Sequence, residues 1–515
     1  MRLCRLAIVM GCTVAFAASA VAEITIVLPK NASELENIAA LEIRRYMYLC
    51  MGKTVPIPTE DMPQSGDIIT IAQKDHSIFK VLCDDATKSA VDSLEPEQYI
   101  AKTLQKDGRK VLVIAGGDVV GALYGAYRVC ETMGVRFYLH GDVIPDKKIP
   151  LAVPDVNESG KPLFSIRGIN PFHDFPEGPD WWNKDDYMSY ISQLAKMRMN
   201  FIGLHCYPEG AGPEPAVWIG LKEYLDKKNK PMFSYPSHWA NTKRDGGWGY
   251  SAMRTGDFAG GADRIFASDD YGPDIMEGMM PTPGTPEQSN ELFERSGKMF
   301  KTAFGYAKKF GVKTCVGTET PLRIPAEMKE KLKAEGKDIS SQAVIKDLYE
   351  GIFTRISKVY PVDYYWLWTP EGWTWGGNKP QQFDATVKDI NSALEALAAL
   401  GNPFTLATCG WVLGPQHDRA ALDKVLPKAI PMSCINRQVG HAAVEVGFAN
   451  VEGRPKWAIP WLENDPNMIA PQPWVGRMRY DAADSLRLGC TGLIGIHWRT
   501  KAMAHNVAAL AAAAW

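Results

Sequence analysis

The spacing of apolar residues changes period repeatedly along the chain, and those changes mark its elements. "EITIVLP" from Glu23, "DIITIA" from Asp67 and "KVLVIAGG" from Lys110 are short β-branched runs bounded by polar or glycine-containing segments, which predicts strands. "SELENIAALEIRRYMYLCMG" has helical spacing instead, with Leu35, Ile38, Ala39, Tyr46 and Leu49 on one face and Glu42 interrupting it. It opens on Ser33 and Glu36, the reciprocal pair of a capping box. "DVVGALYGAYRVCETMG" is a further helix closed by Gly134, followed by "VRFYLHGDVIP". Residues 23–155 therefore read as one α/β unit.

A proline- and aspartate-rich linker runs from 144 to 162, and a second pattern repeats after it. Short apolar runs are "FSIRGIN" (164–170), "MNFIGLHCY" (199–207), "VKTCVGTE" (312–319), "YYWLWTPE" (364–371), "FTLATCGW" (404–411), "IPMSCIN" (430–436), "KWAIPWLEND" (456–465) and "GLIGIHW" (492–498). Helix-like segments separate most of them, and "TKAMAHNVAALAAAAW" reads as the last helix. Eight strand–helix alternations across 163–515 predict an α/β fold, a (β/α)8 TIM barrel preceded by the small α/β domain. A doubly wound open sheet is the alternative. The excursion 208–284 after the second run is rich in Gly, Pro, Trp and Met, and is expected over the barrel mouth.

Composition narrows the function. The chain has 515 residues, is 46% hydrophobic and 23% charged, and has a net charge of −2, so there is no basic footprint for nucleic acid. "MRLCR", an apolar run and "AVA" before Glu23 form a signal-peptide pattern ending at Ala22, which implies an exported protein, periplasmic or extracellular. No later stretch is long and apolar enough to span a bilayer. Ten cysteines fall to eight beyond residue 22, none in a close metal-type pair, and buried free thiols are expected. No metal or other cofactor is expected, and there is no G-x-S-x-G elbow. "GGDVVG" lacks the G-x-G-x-x-G register of a dinucleotide turn and is explained by helix–sheet packing.

In a barrel, the polar residues just past each strand form one ring. Here they are Asn170, His173, His205, Glu319, Glu371, Trp411, Asn436, Arg437, Glu463, Asp465, His497, Trp498 and Arg499. Carboxylates and tryptophans around one mouth suit a glycan or oligosaccharide, whose C–H faces pack on aromatic rings while its hydroxyls take hydrogen bonds. Glycoside hydrolysis needs two carboxyl groups flanking the scissile bond. Glu371 is the expected acid, because tryptophans around it would desolvate the carboxyl and hold its proton. Its partner is Glu463, Glu319 or Asp465. Trp373 and Trp375 are candidate sugar platforms, and His205 and His497 are expected to face the mouth and contact hydroxyls.

"GGDVVGALYGAYRVCETMGVRFY" resembles the N-terminal domain that precedes the barrel in α-glucuronidases and β-hexosaminidases, through Gly117, Gly121, Tyr124, Gly125, Gly134, Val135 and Arg136. "FSIRGIN" and "LAKMRMNFIGLH" resemble the first two barrel strands of that group, so the likeness covers roughly residues 23–210. The resemblance implies an exo-acting glycoside hydrolase with its acid at the fourth strand, the position of Glu371. Those hexosaminidases carry Asp-Glu there; this chain has Pro370 before Glu371, which departs from their substrate-assisted mechanism. A uronic acid substrate would need cations, for which Arg437, Arg499 and Lys501 are available. The competing reading is a non-catalytic carbohydrate-binding protein that retains the barrel.

Overall fold

The computed structural model describes residues 23–58, 62–172, 179, 182–206, 218–225, 235–236, 286–374, 376, 380–436, 444–464 and 471–515. Residues 1–22, His173, Trp375, Arg437, Asp465 and most of the 208–284 excursion lie outside the described residues.

The β-branched runs of the N-terminal unit pair as strands. β1 (Ile24–Val27), β2 (Asp67–Gln73), β3 (Tyr99–Lys106), β4 (Arg109–Gly116) and a later edge strand form a sheet in the order β1-β2-β4-β3-edge. A small hairpin, β5 (Arg136–Tyr138) and β6 (Gly141–Val143), precedes that edge strand, β7 (Asn157–Gly160). The sheet thus extends past the expected boundary at residue 155. Gly160 is required at this edge, because a Cβ there would lie 2.2 Å from the Tyr99 ring.

Helix α1 (Glu34–Met51) starts on the expected capping box: Glu36 N–H donates to Ser33 Oγ (3.2 Å), and Ser33 N–H donates to Glu36 Oε2 (2.6 Å). Glu36 Oε1 also accepts from Gln73 N–H (2.8 Å), so one buried carboxylate fixes both the helix start and the end of β2. The short α2 (Ile78–Leu82) and α3 (Asp85–Asp92) follow, and α4 (Val119–Thr132) packs on α1.

The repeated pattern closes into a parallel barrel of eight strands. In chain order these are β8 (Ile166–Pro171), β9 (Phe201–Cys206), then, after a two-strand insertion β10 (Trp218–Ile219) and β11 (Tyr235–Pro236), β12 (Lys313–Glu319) and β13 (Tyr364–Trp368). The barrel continues with β14 (Thr405–Cys409), β15 (Met432–Ile435), β16 (Lys456–Ile459) and β17 (Gly492–His497), which pairs back onto β8. The open-sheet alternative is excluded by that closure. The helices are α5 (Lys184–Lys196), α6 (Pro286–Lys309), α7 (Ala326–Ala334), α8 (Gln342–Val359), α9 (Pro380–Ala399), α10 (Val475–Arg487) and α11 (Ala504–Ala513). Among the described residues, the β14–β15 and β15–β16 crossovers carry only 3-10 turns (Ala421–Lys424 and Val446–Asn450), so the helix alternation is incomplete there.

The described part of the excursion lies on the helix layer. Gly351 of α8 approaches it so closely that a Cβ would meet Gly220 O at 1.9 Å, and Tyr224 O–H donates to Glu335 Oε2 (2.7 Å). For these residues the expected position over the mouth is corrected. Buried Arg167 donates to Glu97 Oε2 (2.9 Å), and Asn200 Nδ2 donates to Glu97 Oε1 (2.9 Å). The N-terminal unit therefore grips the barrel where β8 and β9 begin, opposite the C-terminal face.

Candidate active site

Alternation along the strands sorts the side chains into two sets. Phe201, Cys315, Trp366, Trp368, Ala407, Cys409, Trp457, Ile459, Ile494 and Ile496 fill the barrel interior, while Ile202, Leu204, Val316, Leu367, Leu406 and Leu493 join the core under the helices. Trp366 fits inside because its ring reaches past β12 to a glycine of β9: a Cβ at Gly203 would lie 2.3 Å from it.

One further inward position at the C-terminal ends builds an aromatic collar. Phe172 lies 5.4 Å from the rings of both His205 and Trp498 and 5.8 Å from Trp411. His205 sits 4.0 Å from Trp368, while Trp461 is 5.0 Å from Trp498 and 6.0 Å from Trp411. Trp411, Trp498 and His205 thus stand together in this collar at the C-terminal ends of the strands.

Two expected contacts go elsewhere. Trp373 is 1% exposed and packs 6.2 Å from Phe383 of α9, in the outer core. Pro370 ends the strand and a 3-10 turn (Glu371–Thr374) breaks the alternation, so the ring swings away from the mouth. His497 shares the outward face of β17 with Gly495, where a Cβ would meet Leu462 and Leu510, and so it also turns from the barrel axis. Burial lowers its pKa to about 3, keeping the imidazole neutral.

Successive hydrogen bonds align the ends of β12, β13 and β14. Thr320 N–H (2.6 Å) and Oγ1–H (2.8 Å) both donate to Trp368 O, and Thr369 N–H donates to Cys409 O (2.7 Å). They position two carboxylates. Glu319 is 5% exposed, and its Oε2 lies 2.7 Å from Arg323 Nε. Glu371 opens the 3-10 turn, half-buried, and its carboxylate makes no hydrogen bond or ion pair among the described residues. The expected tryptophan cage is not formed by the described indoles, since Trp366 and Trp368 fill the interior and Trp373 points outward.

Glu463 is held differently. Its Oε1 accepts from Trp498 N–H and Arg499 N–H, both at 2.7 Å, and its Oε2 accepts from Arg499 Nε–H at 2.6 Å. The side chain is fully buried and ties the end of β16 to the end of β17. Burial raises its pKa against the opposing pull of these donors. Asn436, 8% exposed, follows β15. Asn170, 0% exposed, lies on the inner face of β8, and neither of its amide atoms has a hydrogen-bond partner among the described residues. The same holds for the indole N–H groups of Trp368, Trp461 and Trp498. Such orphaned groups cost about 1–3 kcal/mol each unless water or a ligand meets them.

The sequence reading missed Arg323, four residues after Glu319, and Asp389 of α9, which interrupts the apolar stripe of its helix (Thr386, Ile390, Ala393, Leu397). The described cysteines with placed side chains are free, and all but Cys83 are buried. Among the described residues, no three His, Cys, Asp or Glu side chains converge on a metal position, and no helix is long and apolar enough to cross a membrane.

Residues 17–129 match the family described as the glycosyl hydrolase family 67 N-terminus. No curated protein matches the chain. Among solved structures, a GH115 4-O-methyl-α-glucuronidase with specificity for decorated arabinogalactans is similar at a TM-score of 0.56 and 11% identity, over 96% of this chain and 56% of that one. A GH138 enzyme targeting pectin rhamnogalacturonan II is similar at 0.52 and 13% identity, over 92% of this chain and 58% of that one. A Streptomyces plicatus β-hexosaminidase in complex with GlcNAc is similar at 0.52 and 12% identity, over 94% of this chain and 85% of that one. The fold is therefore one that glycosidases use, and the chain spans under three fifths of the first two relatives.

Proposed function

We propose that the chain is an exported, exo-acting glycoside hydrolase that removes a terminal sugar from glycans, an acidic sugar such as a uronic acid being one candidate. Glu371 is the proton donor and Glu463 the second carboxylate. The observation that carries the reading is Glu371 itself. It is a half-buried carboxylate with no partner among the described residues, just past the end of the fourth strand and three residues after Trp368, whose ring stands against His205. A group already committed to a buried ion pair is a poor proton donor, and among the described residues Glu371 has no such commitment.

Strands four and seven stand three places apart around the eight-stranded barrel, and in this reading Glu371 and Glu463 flank a sugar seated in the mouth. In the reaction Glu371 protonates the leaving oxygen as its bond to the anomeric carbon breaks. Glu463, oriented by Arg499 and two main-chain N–H groups, either takes the proton of a water that adds to that carbon, or attacks the carbon itself and is then displaced by a water whose proton goes to the Glu371 carboxylate. The collar rings pack on the C–H face, and Glu319 takes a sugar hydroxyl. A second reading makes Glu319 the partner carboxylate, because it is less enclosed than the fully buried Glu463.

The test is a panel of aryl glycosides, glucuronides included, with Glu371→Gln, Glu463→Gln and Glu319→Gln. Loss of the acid should lower kcat by about 10²–10⁴-fold, least for the best leaving groups, with the melting temperature unchanged. Undiminished hydrolysis by Glu371→Gln overturns the reading, and a larger loss in Glu319→Gln than in Glu463→Gln favours the second. Retained glycan binding without turnover of any glycoside favours a carbohydrate-binding protein.

A further inference from the structure

We infer that Asp389, on a helix outside the mouth, is the positioning residue that sets the Glu319–Arg323 pair at the end of β12. This rests on the reading of the mouth as the reaction site. Asp389 lies in the middle of α9, 1% exposed. Its Oδ1 accepts from the main-chain N–H of Leu322 (3.0 Å), and its Oδ2 accepts from the hydroxyl of Tyr349 on α8 (2.6 Å). Leu322 lies between the two members of the pair: Glu319 is three residues before it, and Arg323, whose Nε meets Glu319 Oε2 at 2.7 Å, follows it directly.

The loop 319–323 therefore has two anchors. Thr320 is fixed to Trp368 O of the neighbouring strand, and Leu322 is fixed to Asp389. Pro321, between the two anchors, offers no N–H, so among the described residues the Leu322 amide is the main-chain donor that ties the loop to α9. If that bond is released, the Arg323 side chain, half exposed at the surface, loses its fixed origin and Glu319 loses a fixed partner.

Asp389 also makes the anchor sensitive to proton uptake. Among the described residues, Tyr349 from α8 and the Leu322 amide from the loop are the groups that face its carboxyl, and no charged side chain presses on it. Burial raises its pKa to about 6, against the pull of these two hydrogen bonds. The ionised form accepts from both donors. Once protonated, it must turn an O–H toward Tyr349, and the bond from Leu322 becomes an ordinary neutral one, about half as strong.

The test is hydrogen exchange by mass spectrometry on the full chain, following the peptide that carries the Leu322 amide from pH 5 to 7.5 after correction for intrinsic rates. In the wild-type protein, protection should rise about fivefold across that range, the ratio expected when a neutral hydrogen bond becomes charge-assisted. Asp389→Asn keeps an acceptor and removes the titration, so its protection should be flat. Tyr349→Phe should shift the midpoint. Kinetics on any hydrolysed glycoside supply the second arm: Asp389→Asn should lose the acidic limb of kcat/KM while its high-pH kcat stays within about threefold. A wild-type pH dependence retained in Asp389→Asn overturns the inference, as does a flat wild-type profile. If no glycoside is hydrolysed, the exchange arm still decides the positioning role, and only the reading of the mouth falls.

Discussion

Replacing Glu463 with glutamine tests the most tightly specified contact in the mouth. The amide keeps an oxygen that can accept from Trp498 N–H and Arg499 N–H. It must then present its own N–H₂ to Arg499 Nε–H, which in the native chain donates to Oε2 at 2.6 Å. Two donors would face each other in a site with no exposure at Glu463 and 19% at Arg499. A hydrogen bond to a charged group contributes about 1.5–3 kcal/mol, and breaking a buried pair costs about 3–5 kcal/mol. Burial already disfavours the Glu463 charge, which offsets part of this, so the expected loss is about 2–3 kcal/mol. Unfolding entropy of about 2.1 cal/mol/K per residue over 515 residues gives about 1 kcal/mol per degree, so the melting temperature should fall by about 2–3 °C. A double-mutant cycle with Arg499→Met isolates the pair, with an expected coupling of about 2 kcal/mol. An unchanged melting temperature in Glu463→Gln, or a coupling below about 0.5 kcal/mol, refutes the reasoning.

Two further outcomes follow from buried groups. The fold raises Asp389 from the ordinary 3.8 to about 6. The folded state therefore favours the neutral acid: that stabilisation is complete below the unfolded value and is lost as pH rises through the folded one. Wild-type stability should drop by on the order of 3 kcal/mol between pH 4 and 7 relative to Asp389→Asn, measured by paired melts; parallel pH curves would contradict this. Gly203→Ala places a methyl 2.3 Å from the Trp366 ring inside a closed barrel. It should cost about 1–3 kcal/mol in denaturant unfolding, and an equally stable variant would mean that the interior packs differently.

The barrel was legible because its signal is local. Each strand is a short apolar run, and period-two alternation alone assigns Trp366, Trp368, Trp457 and Trp461 to the inside. Trp373 was misplaced for a different reason: nearness to Glu371 in the sequence was read as facing the mouth, but past Pro370 the chain enters a turn where no alternation fixes which way a ring points. His497 was misread for a related reason: standing at a strand end is not the same as facing inward, and its parity with Gly495 places it outward. The roles of the carboxylates were legible only as a set. What separates Glu371, Glu319 and Glu463 is their partners, and Glu463 meets residues 35 and 36 positions away through main-chain N–H groups that no sequence pattern marks. Asp389 did leave a trace, as a charge on the buried stripe of α9. A carboxylate in that position must either be neutral or hold something, and here it holds the loop that ends in Arg323.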